Sequence, residues 1–511
     1  MFTKKQLWAL LIPLMIEQIL NSLMGTADTM MVSNVGSAAI SAVSLVDSIN
    51  TLILNIFSAL ATGGAIVCSQ YIGKQRIDRA NAAGRQLVLS MFAISTVISA
   101  VCVIFRQPLL SLVFGRVDAD VMENALIYML ITGLSFPFIG LYNASAALFR
   151  SSGNSKLPMT VSMISNCINI VGNSIFIFVL KMGVAGAALS TLLSRVFCAV
   201  VIMYYQTKPA QTICINNYFS IRPDFPMVKM ILTFGIPTGI ENGMFQFGKL
   251  AIQSTVSTLG TTAIAAQAMT SVLEGFSSMA GGGIGLGMVT IVGQCIGAGR
   301  RDEAKRYILK LTWYGEVSII MSCIILYIAC DLITSLGGME PEAAIMCKEM
   351  VLAITICKPI AWAFSFMPGY GMRAAGDVKF SMITSSITMW TCRVFLTVVL
   401  IRFFSWGPMA VWVGMFTDWT ARSICFATRF FTGGWLKKKA VQPPTPGQGS
   451  DTGVPTMWDA GVRPLSRNCQ ISPITFNTNI HPVSVTDDRS VAITTMLELS
   501  TSSLPIFFAI M

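Results

Sequence analysis

Long apolar stretches alternate with short polar connections along most of the chain, and this pattern decides the fold class. A helix needs about 20 residues to cross a hydrocarbon core of about 30 Å, and we identify twelve stretches of that kind. We therefore expect an all-α polytopic membrane protein with twelve transmembrane helices. The predicted spans are 7–32, 45–72, 87–105, 125–149, 157–180, 183–205, 228–254, 263–296, 307–330, 344–367, 380–404 and 408–431.

Composition and charge placement agree with this interpretation. The 511 residues are 54% hydrophobic and only 12% charged, too few charges to cover a soluble globule of this size. Lysine and arginine concentrate in alternate connections, among them Arg150 and Arg373, which predicts a plasma-membrane protein with both termini cytoplasmic. Loop topology thus accounts for the net charge of +11, and we expect no nucleic-acid partner. The few basic residues of the predicted outer loops are Arg106, Arg116, Lys181, Lys348 and Arg402.

The two halves of the sequence repeat each other. The stretch LIPLMIEQ contains Pro13 and Glu17, and GIPTGIEN contains Pro237 and Glu241, each 224 residues later. Further glycine, alanine, glutamine and arginine positions recur at the same offset. The offset slips to 223 where RSSGNSK in the first half faces RAAGDVK in the second. The chain therefore carries an internal duplication.

Each half holds six predicted helices, and an even number returns the chain to the same side of the membrane. The two repeats are therefore parallel, and we expect them to face each other across a central cavity, an arrangement that suits alternating access. We assign residues 1–215 to an N-terminal lobe and 216–440 to a C-terminal lobe. Residues 441–511 are rich in proline, glycine and polar residues without helical periodicity, and we predict a disordered tail.

The repeated motif places a carboxylate inside each lobe. By helical rise, Glu17 and Glu241 lie roughly 15 Å into their spans, near the membrane midplane, where an isolated charge costs several kcal/mol. Each should face the cavity or a partner, and Lys249, two turns after Glu241 on one face, is a candidate partner. Pro13 and Pro237 are predicted to bend the two helices. Packing within the repeat is the alternative role. We expect the two glutamates to give the cavity a negative lining that favours cationic substrates. The predicted substrate-cavity residues are Glu17, Asn21, Glu241 and Lys249.

The sequence gives little support for catalysis or for a bound cofactor. The thirteen cysteines form no CxxC pair, so we expect neither disulfides nor a metal site. The one histidine, His481, follows the last predicted span. The glycine-rich stretch AGGGIGLGM, at 280–288, lies inside a span with no strand before it, which favours close helix packing over a nucleotide loop. We expect no cofactor and no ATP-driven mechanism.

Four motifs together resemble the multidrug and toxic compound extrusion (MATE) family. They are RSSGNSK, RAAGDVK, GVAGAALST at 183–191 and DWTAR at 418–422. The resemblance covers roughly residues 5–440. It implies a V-shaped transporter of twelve helices that exports cationic or amphiphilic small molecules in exchange for H⁺ or Na⁺. We expect it to work as a monomer in the lipid bilayer.

The resemblance also implies a cation site in the N-terminal lobe. The family's site residues correspond here to Asp28, Asn169, Asn173 and Thr191. Where one branch of the family has a second aspartate, this chain has Asn173, which leaves the coupling ion open. Interhelical hydrogen bonding without ion binding is the alternative role.

The second half does not repeat this oxygen cluster at the matching positions. At the matching offsets it has Ile252, Cys392 and Leu396, so we predict an ion site in the first lobe alone. Asp418 and Arg422, at positions i and i+4, are predicted to form a structural pair near the cytoplasmic end of the last helix.

Three other functions remain to be weighed. A lipid-linked oligosaccharide flippase of the related exporter superfamily should need a large cationic cavity, and the two glutamates argue against it. An intramembrane enzyme would need a constellation of histidine, metal ligands or a nucleophile, which this sequence lacks. A channel would pass many ions in each opening without stoichiometric exchange.

Overall fold

The computed structural model describes residues 1–115, 118–218 and 221–437. Arg116, His481 and the predicted tail lie outside the described residues. The regular structure within these ranges is helical, which confirms the predicted fold class. Its α-helices are α1 (Lys4–Ser33), α2 (Ser37–Gly73), α3 (Ile77–Ile104), α4 (Arg106–Phe114), α5 (Ala119–Leu134), α6 (Phe136–Ser151), α7 (Lys156–Asn173), α8 (Gly183–Gln206), α9 (Phe225–Val256), α10 (Thr261–Gly297), α11 (Arg301–Leu336), α12 (Pro341–Ala374), α13 (Val378–Thr388), α14 (Leu396–Phe404) and α15 (Met409–Phe431).

These helices account for the twelve predicted spans. In the described part of the chain, nine helical segments are long and apolar enough to cross a membrane, and α5 with α6, bent by 43°, forms a tenth. The other two are α9 and α15, with 32 and 23 residues. Both are long enough to span but carry internal charges. Helices α2 and α10 have 37 residues each, about 55 Å of helix, so they extend beyond the hydrocarbon core.

Three interruptions divide the spans. The fourth span breaks at Ser135, just before a proline in the first turn of α6. A π-helical segment, Ser174–Val179, continues α7, and another, Met389–Phe395, joins α13 to α14. A π-helical turn accommodates one extra residue in a helix, and π segments are frequent at functional sites.

The two lobes meet along α1, α2, α9 and α10, where α1 packs on α10, α9 packs on α2, and α2 packs on α10. Small residues allow the close approach. A Cβ added at Gly63 would lie 2.7 Å from the backbone nitrogen of Gly235, and one added at Gly283 would lie 2.8 Å from the backbone of Met15. The glycine-rich stretch is therefore a packing surface within one continuous helix, as predicted.

The lobes close at the end where α2 and α10 terminate. Gln70 donates a hydrogen bond to the carbonyl of Ala374 across the interface, and Gln294 donates one to the carbonyl of Ser151, both at 2.8 Å. The donors are repeat mates, and so are the acceptors. The duplicated sequence thus builds a symmetric seal on this side of the molecule, which we call the closed side.

Candidate functional site

A stripe of short polar side chains runs along α2. Its members recur at intervals of three and four residues, and most are exposed, although they belong to a membrane-spanning helix. A polar stripe of this kind faces water rather than lipid. Its last two members line a pocket together with α10, so the stripe forms one wall of the cleft between the lobes. The stripe consists of Ser37, Ser41, Ser44, Ser48, Thr51, Asn55, Ser58 and Thr62.

The opposite wall has only one hydroxyl at the matching positions, that of Thr261. At the repeat offset, α10 carries mainly small and apolar residues, and one of them, Leu286, lines the same pocket. The two walls of the cleft therefore differ in polarity although the helices are repeat mates. The counterparts on α10 are Thr261, Ala265, Ala268, Val272, Gly275, Met279, Gly282 and Leu286.

The cleft ends in a pocket of about 150 Å³ that contains two of the predicted cavity residues, Glu17 and Asn21. Asn21 accepts a hydrogen bond from Ser162 at 2.8 Å, which joins α1 to α7. Glu17 is only 1% exposed, and the guanidinium of Arg150 donates to its Oε1 at 2.7 Å. The glutamate therefore has a partner of opposite charge.

The second lobe repeats this ion pair. Glu241 is 8% exposed, and its Oε2 lies 3.3 Å from Nη1 of Arg373, the repeat mate of Arg150. Ser381 also donates to Glu241. Both arginines are in the last turn of their helices, α6 and α12, so both glutamates lie toward the closed side.

This pairing corrects two expectations. The glutamates do not give the cavity an uncompensated negative lining, because each is matched by an arginine that counted as a loop charge in the sequence. The predicted Glu241–Lys249 partnership is also wrong, since Glu241 pairs with Arg373 instead. The two glutamates therefore no longer argue against a flippase. Pro13 and Pro237 both lie inside unbroken helices.

The four residues of the predicted cation site come together in the structure. The amide of Asn173 donates a short hydrogen bond to Oδ1 of Asp28 and a second one, at 3.3 Å, to Asn169 Oδ1. Asn169 in turn donates to the Thr191 hydroxyl at 3.3 Å. Oδ1 of Asn173 is buried and accepts no hydrogen bond. A carboxylate, two amides and a hydroxyl thus supply hard oxygen atoms of the type that Na⁺ and other hard cations prefer.

A second carboxylate, absent from the sequence-based site, lies beside this cluster. Asp47 of α2 accepts hydrogen bonds from Asn50 at 3.1 Å and from the Tyr128 hydroxyl at 3.3 Å. The guanidinium of Arg195, on α8, is near enough to interact with both Asp28 and Asp47. Two carboxylates and one arginine therefore make the interior of this lobe electronegative. Asp47 directly precedes Ser48 of the polar stripe. Besides Asn50 of α2 itself, its polar neighbours Asp28, Tyr128 and Arg195 come from three other helices.

Comparison with known proteins identifies the family. The MatE family model matches the chain twice, over residues 13–175 and 237–399, so the two matches begin 224 residues apart. Together they cover more than half of the chain. The chain belongs to the MatE family. This assignment makes it a membrane transporter, and the double match coincides with the repeat seen in sequence and structure.

Similar proteins extend over most of the chain. The Bacillus subtilis protein named Uncharacterized transporter YisQ is 28% identical over 438 residues, covering 84% of this chain and 95% of the relative. A Thermotoga maritima protein named Probable multidrug resistance protein NorM is 26% identical over 461 residues, covering 86% and 94%.

Solved structures support the fold. One described as an outward-facing conformation of a multidrug resistance MATE family transporter has a TM-score of 0.80 at 19% identity, covering 85% of this chain and 97% of that one. A Pyrococcus furiosus MOP superfamily transporter, described with a reverse polarity of its binding pocket, has a TM-score of 0.77 at the same identity and coverage.

The second lobe of this MatE chain holds an arginine where the first has its cation cluster. In the first lobe, Ser190 donates a hydrogen bond to the carbonyl of Asn169 at 2.7 Å. Its repeat mate in the second lobe, Gly414, faces the carbonyl of Arg393 instead, which would lie 2.9 Å from a Cβ added at Gly414. Asn169, Asn173, Arg393 and Thr397 are buried, whereas Cys392 and Leu396 are half-buried. The matching positions are therefore Arg393 and Thr397.

The π-helical segment Met389–Phe395 explains this correction. This segment lies after the RAAGDVK loop, where the offset between the repeats is 223, and before Thr397. The one extra residue that it accommodates restores the offset to 224. Ile252 stays the apolar counterpart of Asp28. A guanidinium thus occupies the second lobe's equivalent of the predicted ion site.

Asp418 and Arg422 form the predicted pair within α15, with guanidinium-to-carboxylate distances of 3.0 and 3.1 Å. Both side chains are buried in the middle of the helix rather than near its cytoplasmic end, because α15 continues to Phe431. Lys358, which is 0% exposed, pairs with Glu274 at 2.7 Å. The second lobe of this protein is thus charged in its interior, with both of these pairs fully formed.

Proposed function

We propose that this MatE protein is a secondary-active efflux antiporter that exports cationic or amphiphilic small molecules in exchange for H⁺ or Na⁺ by alternating access. The observation that carries the proposal is the oxygen cluster of Asp28, Asn169, Asn173 and Thr191 beside a water-facing cleft. The family assignment supports transport, and relatives named as probable multidrug resistance proteins support drugs as substrates.

In this proposal the coupling ion and the substrate compete for the N-terminal lobe. Asp28 is half-buried, so it can be reached from the cleft. When a cation binds Asp28, the carboxylate no longer attracts a positively charged substrate, and substrate entry in turn favours ion release. With both termini cytoplasmic, the closed side faces the cytoplasm, and the structure corresponds to an outward-open state in which substrate leaves and the ion enters.

The seal between the lobes explains how the states alternate. The hydrogen bonds of Gln70 and Gln294 join the lobes at the closed side, and each glutamate–arginine pair lies within one lobe. Rocking therefore needs to break the symmetric glutamine contacts while the internal ion pairs stay intact. Each lobe can then move as a rigid body around the central cleft.

Gradient-driven transport tests the proposal. Everted membrane vesicles would be given a pH gradient or a Na⁺ gradient separately, and ethidium uptake would be followed by fluorescence for wild type and Asp28→Asn. We expect one gradient to drive uptake and the variant to lose it. Asp331→Asn is the matched control, because Asp331 is an exposed aspartate of the other lobe and pairs with Lys348 at the surface. Absence of uptake under either gradient, with well-folded protein, would refute the antiporter.

The same experiment separates the other functions. A channel would dissipate the gradient without accumulating ethidium. A lipid-linked oligosaccharide flippase would be inactive toward ethidium and instead move a lipid pyrophosphate in reconstituted vesicles. The MatE match favours drug export over that alternative.

A further inference from the structure

The interior of the C-terminal lobe contains more positive than negative charge. Lys358 is matched by Glu274, and Arg422 is matched by Asp418. Two further cations, Lys249 and Arg393, make no ion pair within 4.0 Å among the described residues. Of the other buried acids of this lobe, Glu241 pairs with Arg373 and Asp377 pairs with Arg429, while Glu316 on α11 forms no ion pair within 4.0 Å among the described residues. Two positive charges are therefore left without a direct counter-charge.

Arg393 is 7% exposed, and its Nε is buried without a hydrogen-bond acceptor. Its guanidinium lies over the ring of Phe245, 5.4 Å from the ring centre. Arg422 lies over the same ring at 5.2 Å. Aromatic rings stabilise cations, but this attraction offsets only part of the cost of burying a charge. Asp418 and Glu274 also attract Arg393, but each is already in direct contact with another cation. The site thus lacks a direct anionic partner for Arg393.

Lys249 lies on the same side of α9 as Phe245, one turn further along, and its ammonium interacts electrostatically with Arg393 and Glu274. It is exposed, unlike Arg393. The two unmatched cations therefore lie in one region at different depths, one accessible from water and one buried behind an aromatic ring.

The position of Lys249 gives access from the cleft. It belongs to a polar stripe of α9 that is distinct from the lipid-facing side, where Ile236, Ile240 and Leu250 are exposed. The repeat mate of Asn242, the first member of the stripe, is Gln18, which lines the central pocket. By the repeat, the stripe therefore faces the cleft. Its members are Asn242, Gln246, Lys249 and Gln253.

Aromatic side chains surround the cations. Phe245 packs edge to face on Phe366, and Phe366 stacks on Trp362 with ring centres 4.9 Å apart. Trp419 faces the ammonium of Lys358. Rings beside a positive charge are a suitable surface for an apolar molecule that carries an acidic group.

We propose that the C-terminal lobe contains a binding site for amphiphilic organic anions, in which Lys249 and Arg393 hold a carboxylate, sulfonate or phosphate group while the apolar body packs on the rings around Phe245. This inference rests on the proposed efflux function and extends its substrates to molecules with an acidic group. The lobes then have complementary roles, with Asp28 and Asp47 attracting positive charge and the second lobe attracting negative charge.

A matched pair of dyes tests the site by binding rather than transport. Fluorescein is anionic and rhodamine 123 is cationic, and both have the same xanthene ring system. Their Kd values would be measured by fluorescence anisotropy on the purified full-length protein in phosphatidylcholine nanodiscs, for wild type, Lys249→Gln, Arg393→Gln and Arg393→Lys. Lys348→Gln serves as the control, because Lys348 is exposed and paired with Asp331 away from this site.

We expect each glutamine variant to raise the ratio of the fluorescein Kd to the rhodamine 123 Kd at least tenfold, and Arg393→Lys to restore most of the wild-type ratio. Lys348→Gln should leave the ratio unchanged. Lys249→Gln keeps the test valid if the buried arginine variant fails to fold, because Lys249 is exposed. An unchanged ratio in Lys249→Gln, or no fluorescein binding by wild type, overturns the proposal.

A second arm of the experiment, with phosphatidylglycerol in the nanodiscs, distinguishes an exported molecule from a lipid headgroup as the bound anion. We expect fluorescein binding to wild type to persist. A tenfold loss of fluorescein affinity would show that a lipid headgroup occupies the site, which overturns its assignment to exported molecules. Failure of the efflux function is separately visible, because it abolishes gradient-driven ethidium uptake whatever the dye affinities are.

Discussion

Removing Arg150 should destabilise the protein more than removing its repeat mate Arg373. Arg150→Gln leaves the carboxylate of Glu17, which is 1% exposed, without its counter-charge. Breaking a buried ion pair by deleting one partner costs about 3 to 5 kcal/mol. The distance is 2.7 Å in the first lobe and 3.3 Å in the second, so the Coulomb attraction of the second pair is about four-fifths as strong.

A double-mutant cycle measures this effect. Wild type, Glu17→Gln, Arg150→Gln and the double variant would be unfolded reversibly in mixed SDS and mild-detergent micelles, followed by tryptophan fluorescence. We expect the double variant to be more stable than Arg150→Gln alone, with a coupling energy of about 2 to 3 kcal/mol. The same cycle on Glu241 and Arg373 should give a smaller coupling.

Two results would refute this reasoning. The first is additivity, in which the double variant loses the sum of the two single losses, since the side chains would then not interact. The second is a larger coupling in the second lobe than in the first. Either result would mean that the ion pairs do not hold α1 to α6 and α9 to α12 as the distances indicate.

Three further predictions concern the lobe interface, the cleft and the cation cluster. Gly63→Ala should lower stability by about 1 to 3 kcal/mol, because its Cβ meets the α9 backbone, whereas Gly243→Ala, with open space around it, should be neutral in the same thermal-melting assay. Ser48→Cys should react with a membrane-impermeant maleimide added from outside, above the background of the native cysteines, while the buried control Val46→Cys should not; equal labelling would contradict an open cleft. Arg195→Gln should raise the cation affinity of Asp28 at least threefold, measured as the ion concentration that halves ethidium binding, and a lower affinity would exclude the electrostatic role of Arg195.

Much of the architecture could be predicted because the bilayer restricts backbone structure to a few forms. Span length and loop charge were enough for twelve helices, and the duplicated motif was enough for two parallel repeats. The sequence also predicted which four residues of the N-terminal lobe lie together. The family resemblance supplied all four residues, and helical spacing agrees with it because residues four apart, such as Asn169 and Asn173, lie on one face.

Contacts between distant segments escaped the sequence-based prediction. Arg150 and Arg373 were counted as loop charges, but a long side chain in the last turn of a helix can reach a carboxylate inside the lobe. The extra residue of the π-helical segment hid Arg393 from a comparison at constant offset. The environment of Asp47 was also invisible, because its neighbours Tyr128 and Arg195 are far away in sequence.

The central claim is that one carboxylate in the N-terminal lobe exchanges the coupling ion for the substrate. The most direct measurement is the Kd of ethidium for the purified protein as a function of Na⁺ concentration at fixed pH, and of pH without Na⁺, for wild type and Asp28→Asn. We predict that one ion raises the wild-type Kd in proportion to its concentration and that the variant binds ethidium weakly and independently of that ion. An ethidium Kd that responds to neither ion in wild type, or that responds equally in Asp28→Asn, would contradict the account.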